Sequence, residues 1–522
     1  MIEYPTAHAR ERPDHPAVID VRDGTTLTYG GLEERSRAVA HVLWGWGLRP
    51  GDHVALAMTN RVEFFEFCWA AHRIGLYYTA VNTHLAPDEA RFIVNDCGAR
   101  VLLVDSSSPE LADALESGVD GVSRRIALGS PLAGHEDYEA LASAATGPLP
   151  HEGEGEKMLY TSGTTGTPKG VARPLTDGEP GTAPSLERRP PGSVFVIRPL
   201  MLGMGFDENT VLMNPAPLYH SAPLGYGFGV HRLGGTVLIS GRFDAEQCLE
   251  SMQRHRATHG LFVPTHFVRM LRVPDRERYD LSSLVTAAHG AAPCPPAVKR
   301  EMIDWWGPVL VEYYAGTEGA GMTMLDSHQW LEHPGSVGRP VSGGVHIVDE
   351  STGQERPTGE TGTVYFSGGV AFRYHGDDAK TAGAYGPHGW STLGDIGHLD
   401  ADGYLYLSDR KSFTVISGGV NIYPQEAENV LIGHPLVGDV AAFGIPDPEL
   451  GEVLIAVVEP VQGAALGPDP GAEILTWCAE RLSRQKCPRR IEFRDRLPRA
   501  DNGKLYKRIL RDEYATENRP DW

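Results

Sequence analysis

Leu159-Tyr-Thr-Ser-Gly-Thr-Thr-Gly-Thr-Pro-Lys-Gly170 begins on a short apolar segment. From Ser162 to Gly170 it then sets three glycines, four hydroxyl side chains and one lysine in nine residues. Glycine lets backbone N–H groups come close to a ligand. Hydroxyls add donors, and Lys169 adds a point charge. The set Thr161, Ser162, Gly163, Thr164, Thr165, Gly166 and Lys169 therefore suits a polyphosphate. It is not a Walker loop, which needs Ser or Thr directly after the lysine and a helix whose N-terminus faces the phosphate. Here Pro168 precedes Lys169 and Gly170 follows it.

Outward from this loop, helix-like and strand-like segments alternate. Leu32 to Trp46 and Arg61 to Ile74 carry apolar residues at helical spacing. Val54–Met58, Val101–Asp105, Thr236–Ser240 and Val309–Tyr314 are short apolar strands. The alternation predicts an α/β architecture, sheets covered by helices. Thr176 to Pro191 is rich in proline, glycine and charge and reads as a long surface loop. After about Pro340 short β segments dominate (Val345–Val348, Gly362–Ser367, Gly403–Ser408), which predicts a small β subdomain. Beyond Lys411 comes a compact α+β unit. It comprises a strand Phe413–Ser417, a helix opening at Pro424, strands Val440–Gly444 and Val453–Val458, and a helix Ala472–Leu482. Proline suits a first helical turn because the N–H it lacks has no partner there. The expected division is a large N-terminal domain, 1–411, with its β subdomain at about 340–411, and a small C-terminal domain, 412–522.

The 522 residues are ample for several buried cores. A hydrophobic share of 41% with 22% charged residues is that of a globular protein, and a net charge of −21 argues against nucleic acid or an anionic membrane as principal partner. Cys68, Cys97, Cys248, Cys294, Cys478 and Cys487 include no C-x-x-C pair, and the 21 histidines form no H-E-x-x-H cluster. A zinc site or disulfide framework is not expected. The first ten residues have no signal-peptide core, and no run of 18 apolar residues occurs. The expected location is the cytoplasm.

The loop, with a series of segments in fixed order after it, resembles the adenylate-forming superfamily: acyl-CoA synthetases, adenylation domains of peptide synthetases and beetle luciferases. The further segments are Asn214-Pro-Ala-Pro-Leu-Tyr-His-Ser221, Gly290-Ala-Ala-Pro293, Tyr313-Tyr-Ala-Gly-Thr-Glu318, Trp390-Ser-Thr-Leu-Gly-Asp-Ile-Gly397, Asp409 to Pro424, and Pro498-Arg-Ala-Asp-Asn-Gly-Lys504. The resemblance covers nearly the whole chain. Ser417 to Pro424 and Ile74 to Asn82 look most like the acyl-CoA synthetase branch. The likeness implies two half-reactions: acid plus Mg-ATP gives acyl-adenylate and pyrophosphate, then the thiol of CoA displaces AMP.

The resemblance also implies roles. Lys504 is the catalytic lysine of adenylation, bridging groups where negative charge gathers. Asp395 accepts from the ribose hydroxyls, with Arg410 assisting. Glu318 is the Mg2+ ligand and Thr317 lies near the phosphate; magnesium takes hard oxygens, commonly one or two carboxylates plus phosphate. Tyr314 stacks on adenine, beside Gly290 and Ala291. His220 closes the acid pocket or orients the carboxylate, and Val263, His289 and Gly290 line that pocket. Ser412 is the hinge about which the C-terminal domain rotates, and Ser417, Gly418 and Gly419 shape the CoA tunnel. Two departures stand out. Ser412-Phe413 replaces the charged pair common at the hinge, and Thr392-Leu-Gly-Asp395 replaces the commoner Thr-Gly-Asp.

Other readings compete with an acid–CoA ligase. One is delivery to an acyl carrier protein; another is activation of an unusual substrate such as nitrite for diazotisation of an aryl amine. A third is a nucleotide sensor without catalysis, against which Lys169, Glu318, Asp395 and Lys504 together argue. A homo-oligomer is compatible with each.

Overall fold

Apolar runs such as Ala99–Asp105, buried along almost its whole length, can only be strands covered on both faces. The structure, a computed structural model, describes residues 4–144, 147–161, 168–175, 200–386, 388–464, 466–499 and 505–517. Two large sheets organise its first part. One is a six-stranded parallel sheet, with Glu136–Asp137, Arg124–Leu128, Ala99–Asp105, His53–Ala57, Tyr77–Ala80 and Glu156–Lys157 in that spatial order. The other has nine strands. Its six central ones, from Leu310–Ala315 through Thr286–His289, His259–Phe262, Val211–Asn214 and Thr236–Ile239 to Pro16–Asp20, run parallel. Parallel neighbours need crossover connections, and the amphipathic segments between strands supply them.

The largest core fills the space between these sheets. The helix Val62–Arg73 meets the helix Ser221–Leu233 there, with Trp69 stacked on Phe228 at 4.3 Å between ring centres. On the far face of the nine-stranded sheet the helices Ala245–Arg254, Pro264–Leu271 and Pro296–Trp306 cover a second core.

Two smaller sheets follow. Leu159–Thr161, Lys169–Ala172 and Arg373–Tyr374 form a three-stranded antiparallel sheet. Gln354–Glu355, Gly344–Asp349, Gly362–Ser367, Ser391–Leu399 and Leu405–Arg410 form a five-stranded antiparallel one. They share a core in which Val171 and Ala320 pack with Val345, Val364 and Leu405, so the β segments after Pro340 are built onto the hairpin of Leu159–Thr161 and Lys169–Ala172.

The last sheet pairs Val437–Asp447 with Gly451–Pro460 in a long hairpin, beside Val415–Ser417, Val420–Ile422 and Ile491–Phe493. The helices Pro424–Leu431 and Pro470–Ala479 and the helix Lys507–Glu517 accompany it, and among the described residues its two cores draw on residues from Val415 onward. The architecture is thus the expected α/β one with a C-terminal α+β unit. One local expectation fails. The strand anticipated from Phe413 begins at Val415, because Lys411–Phe413 forms a 3-10 turn that brings the Phe413 ring within 5.5 Å of the Lys507 ammonium. Arg272 donates to the Gly438 carbonyl at 2.7 Å, joining the C-terminal unit to the rest, and just before that unit Lys411 is paired with Glu350. Among the described residues no helix is long and apolar enough to cross a membrane.

Candidate active site

Ligands of open parallel sheets bind beyond the carboxyl ends of the strands, and the predicted residues gather there. The strand Leu310–Ala315 carries Tyr314 near its end and is followed at once by Thr317 and Glu318. The Tyr314 hydroxyl donates to Asp395 Oδ2 at 2.5 Å. Asp395 faces Arg410 as its cross-strand partner, with Arg410 Nε 3.3 Å from Asp395 Oδ1. Asp395 is 6% exposed, and this burial raises its pKa above the ordinary aspartate value despite the Arg410 charge and the Tyr314 hydrogen bond, which oppose the rise. A buried carboxylate with a hydroxyl and a guanidinium on it is a fixed acceptor for vicinal hydroxyls.

The phosphate hairpin stands beside this group. Thr161 and Lys169 are register partners at the mouth of the connecting loop; Ser162, Gly163, Thr164, Thr165 and Gly166 lie outside the described residues. Arg173, at the exit of the hairpin, donates to the Thr317 carbonyl at 2.9 Å. Tyr374, from the third strand, donates from its hydroxyl to Glu318 Oε1 at 3.0 Å, and its ring lies 5.4 Å beneath the Lys169 ammonium. Tyr314, Glu318, Lys169, Asp395 and Arg410 therefore belong to one linked constellation, although the sequence spreads them from 169 to 410.

Glu318 is partly exposed, and among the described residues Tyr374 is its one hydrogen-bond donor. One carboxylate with oxygen capacity to spare, linked through Tyr374 to Lys169, is a donor set that fits a magnesium site completed by substrate phosphates.

Asn60 positions the segment that carries His220. Its side chain donates to the Ala216 and Ser240 carbonyls at 3.1 and 3.0 Å and accepts from the Leu218 N–H at 2.8 Å. His220 then occupies the N-cap position of the helix Ser221–Leu233, its ring 4.5 Å from that of Tyr219. Gly290 follows the strand Thr286–His289 so closely against the next strand that a Cβ there would stand 2.6 Å from the Tyr313 carbonyl. Ala291 is exposed with φ +68°.

Alternation along that strand sends Ala288 and His289 to opposite faces. Ala288 packs in the core shared with Tyr226 and Tyr313. His289 turns to the opposite face, where its ring lies 5.2 Å from Phe267 and 3.9 Å from Glu312. There Lys299 pairs with Glu312 at 2.6 Å in a fully buried ion pair, and burial holds the His289 pKa well below the ordinary value. Val263 caps the helix Pro264–Leu271 and is buried.

Ser412 lies exposed on the 3-10 turn. Ser417 and Val420 pair across a two-residue hairpin whose loop is Gly418-Gly419, with φ of +57° and +81°. Lys504 lies outside the described residues. Asn60, Arg173 and Tyr374 were not anticipated. Their partners are remote in sequence, and the only local hint is that Tyr374 ends a segment starting at the Gly368-Gly369 pair.

Comparison with known proteins adds the following. Residues 6–374 match the family model described as AMP-binding enzyme, and residues 426–504 match that of the AMP-binding enzyme C-terminal domain. A feruloyl-CoA synthase from Amycolatopsis sp. is 34% identical over 515 residues, covering 98% of both chains. The long-chain-fatty-acid–CoA ligase FadD13 of Mycobacterium tuberculosis is 31% identical, covering 96% of both. Among solved structures, o-succinylbenzoate CoA synthetase from Bacillus subtilis, in complex with its acyl-adenylate intermediate, superposes with a TM-score of 0.79 at 27% identity, covering 98% of both chains.

Proposed function

The chain belongs to the AMP-binding enzyme family of adenylate-forming acid–CoA ligases, and from that premise we propose that it joins a small-molecule carboxylic acid to CoA through an acyl-adenylate. In the first half-reaction a carboxylate oxygen attacks the α-phosphorus of ATP. The bond from that phosphorus to the bridging oxygen breaks, and pyrophosphate leaves. In the second, the CoA sulfur attacks the acyl carbon, the thiol loses its proton, and the bond to AMP breaks. The observation that carries this reading is the linked constellation Arg410–Asp395–Tyr314 beside Glu318–Tyr374–Lys169. It offers a ribose acceptor at one end and a phosphate cation at the other.

Asp395 and Arg410 hold the ribose, and the aromatic face of Tyr314 supports the adenine. Lys169 and the hydroxyls of the loop hold phosphate oxygens. Glu318 would hold magnesium, which when bound offsets phosphate charge. Lys504 neutralises the charge that gathers as carboxylate and α-phosphate approach. We place residues 412–522 as the part that turns about Ser412, withdrawing Lys504 and bringing Ser417-Gly418-Gly419 to the pantetheine arm. The named acids of the relatives, feruloyl and long-chain fatty among them, span aromatic and aliphatic classes, so they support an organic acid as such.

A pyrophosphate-release screen over acids, nitrite included, run with and without CoA, tests the reading. Acid-dependent pyrophosphate with a CoA thioester as product is expected. Product formed only on a carrier protein, or only from nitrite, would replace it. Lys504→Ala is expected to abolish adenylation while sparing thioester formation from pre-made acyl-adenylate.

A further inference from the structure

The short helix Asp378–Gly383 follows the third strand of the phosphate sheet directly. It is fastened to that sheet at several points. Val171 and Tyr374 are register partners, the His375 N–H donates to the Gly170 carbonyl at 2.8 Å, and the Tyr374 N–H donates to Thr381 Oγ1 at 3.0 Å. Asp377 caps the helix by accepting the Lys380 N–H at 2.9 Å. The backbone around Lys380 is therefore set relative to Lys169. The outcome is that the Lys380 side chain is a close electrostatic neighbour of the Lys169 ammonium, both residues being half-buried.

Two ammonium groups at such a distance repel each other, and more strongly where solvent is partly excluded. Asp377 and Glu318 exert an opposing pull on Lys169, yet among the described residues no carboxylate stands at ion-pair distance from it. Burial and Lys380 together push the Lys169 pKa down to about 8. A multivalent anion placed between two such cations would offset their repulsion.

We propose that Lys380 is a second phosphate-binding cation, gripping with Lys169 the β- and γ-phosphates of ATP and then the pyrophosphate that leaves. The proposal rests on the ATP-activating reading given above. The order of groups across the site selects those phosphates. Arg410, Asp395 and Tyr314 mark the ribose end; Glu318 comes next through Tyr374, and Lys169 with Lys380 lies beyond. When the bond between the α-phosphorus and the bridging oxygen breaks, that oxygen's electron pair and negative charge stay with pyrophosphate. Two cations already in place meet the charge as it develops. Neither lysine gains or loses a bond.

Direct binding tests the assignment without turnover. ATP and AMP are titrated calorimetrically into the full chain, wild type against Lys380→Met, which keeps the stem and removes the charge, and Lys380→Arg, which restores it. Loss of one charged contact predicts ATP binding weaker by about tenfold in Lys380→Met, AMP binding within about twofold of wild type, and recovery of most of the loss in Lys380→Arg. Pyrophosphate alone should follow ATP. Equal weakening of ATP and AMP, or unchanged ATP binding, would overturn the role of Lys380 while leaving the ATP site itself standing. A wild-type chain that binds neither nucleotide would overturn both. Thermal unfolding without ligand identifies a variant that fails to fold, in which case Lys380→Gln takes the place of Lys380→Met.

Discussion

Asp395 and Lys169 stand at the two ends of the proposed nucleotide site, and their environments push them in opposite directions. Burial raises the Asp395 pKa above the usual aspartate range, while burial and Lys380 lower that of Lys169 to about 8. Asp395 accepts from both ribose hydroxyls most strongly while ionised, so affinity should fall as pH drops through its raised pKa. Lys169 holds phosphate as a cation only while protonated, so affinity also falls as pH rises through about 8. ATP dissociation constants measured across pH should therefore pass through a minimum on the acid side of 8. Lys380→Met should move the alkaline limb upward, since it removes the neighbour that depresses Lys169, and leave the acid limb in place. At this scale the sequence was informative where a motif is contiguous: Asp395 and Arg410 could be read from their own segments. Lys380 and Tyr374 could not, because what defines them is a cross-strand approach to a hairpin more than half a domain away in the chain.

Elements were legible where periodicity is strong. Leu32 to Trp46 reads as a helix and coincides with the helix Tyr29–Gly45 up to its C-cap Trp46, and Val101–Asp105 lies within the strand Ala99–Asp105. The 3-10 turn Lys411–Phe413 was not legible, because an apolar Phe at strand spacing says nothing of the Lys507 charge that its ring approaches. The hairpin loop Gly418-Gly419 shows why a glycine pair can serve two ends. Both residues have positive φ, as the two-residue turn between Ser417 and Val420 demands, and the same bareness suits passage of a narrow ligand arm. Gly419→Val places a β-branched residue in the left-handed region at a cost of about 1–2 kcal/mol. It should lower the denaturation midpoint modestly and slow thioester formation from acyl-adenylate. Pyrophosphate release in the absence of CoA should remain near wild type. Equal loss in both assays would detach the turn from the thiol step.

Over the whole molecule, alternation and composition foretold an α/β body with a C-terminal α+β unit, but not what lies buried between sheet and helices. Lys299 and Glu312 form their ion pair with both side chains shielded, one from the helix Pro296–Trp306 and one from the strand Leu310–Ala315. Lys299→Met would strand the Glu312 charge and should cost about 3–5 kcal/mol in chemical denaturation, whereas Lys299→Met with Glu312→Leu should recover most of that loss. His289 shows the same limit: pleat parity, set by three-dimensional register, turns its side chain towards this pair, on the face opposite to Ala288. A last consequence attaches to the three-stranded sheet that carries the phosphate loop. It is small, and the strand Arg373–Tyr374 joins it through two register pairs and the His375 contact to Gly170. Amide protons held by so few bonds should exchange with solvent through local opening, well before the long parallel sheets release theirs. ATP, by clamping the loop from both flanks, should slow exchange near Val171 and near Tyr374 to the same extent. Two stretches distant in sequence would then behave as a single protected unit, a signature that hydrogen–deuterium exchange can read before any acid substrate is known.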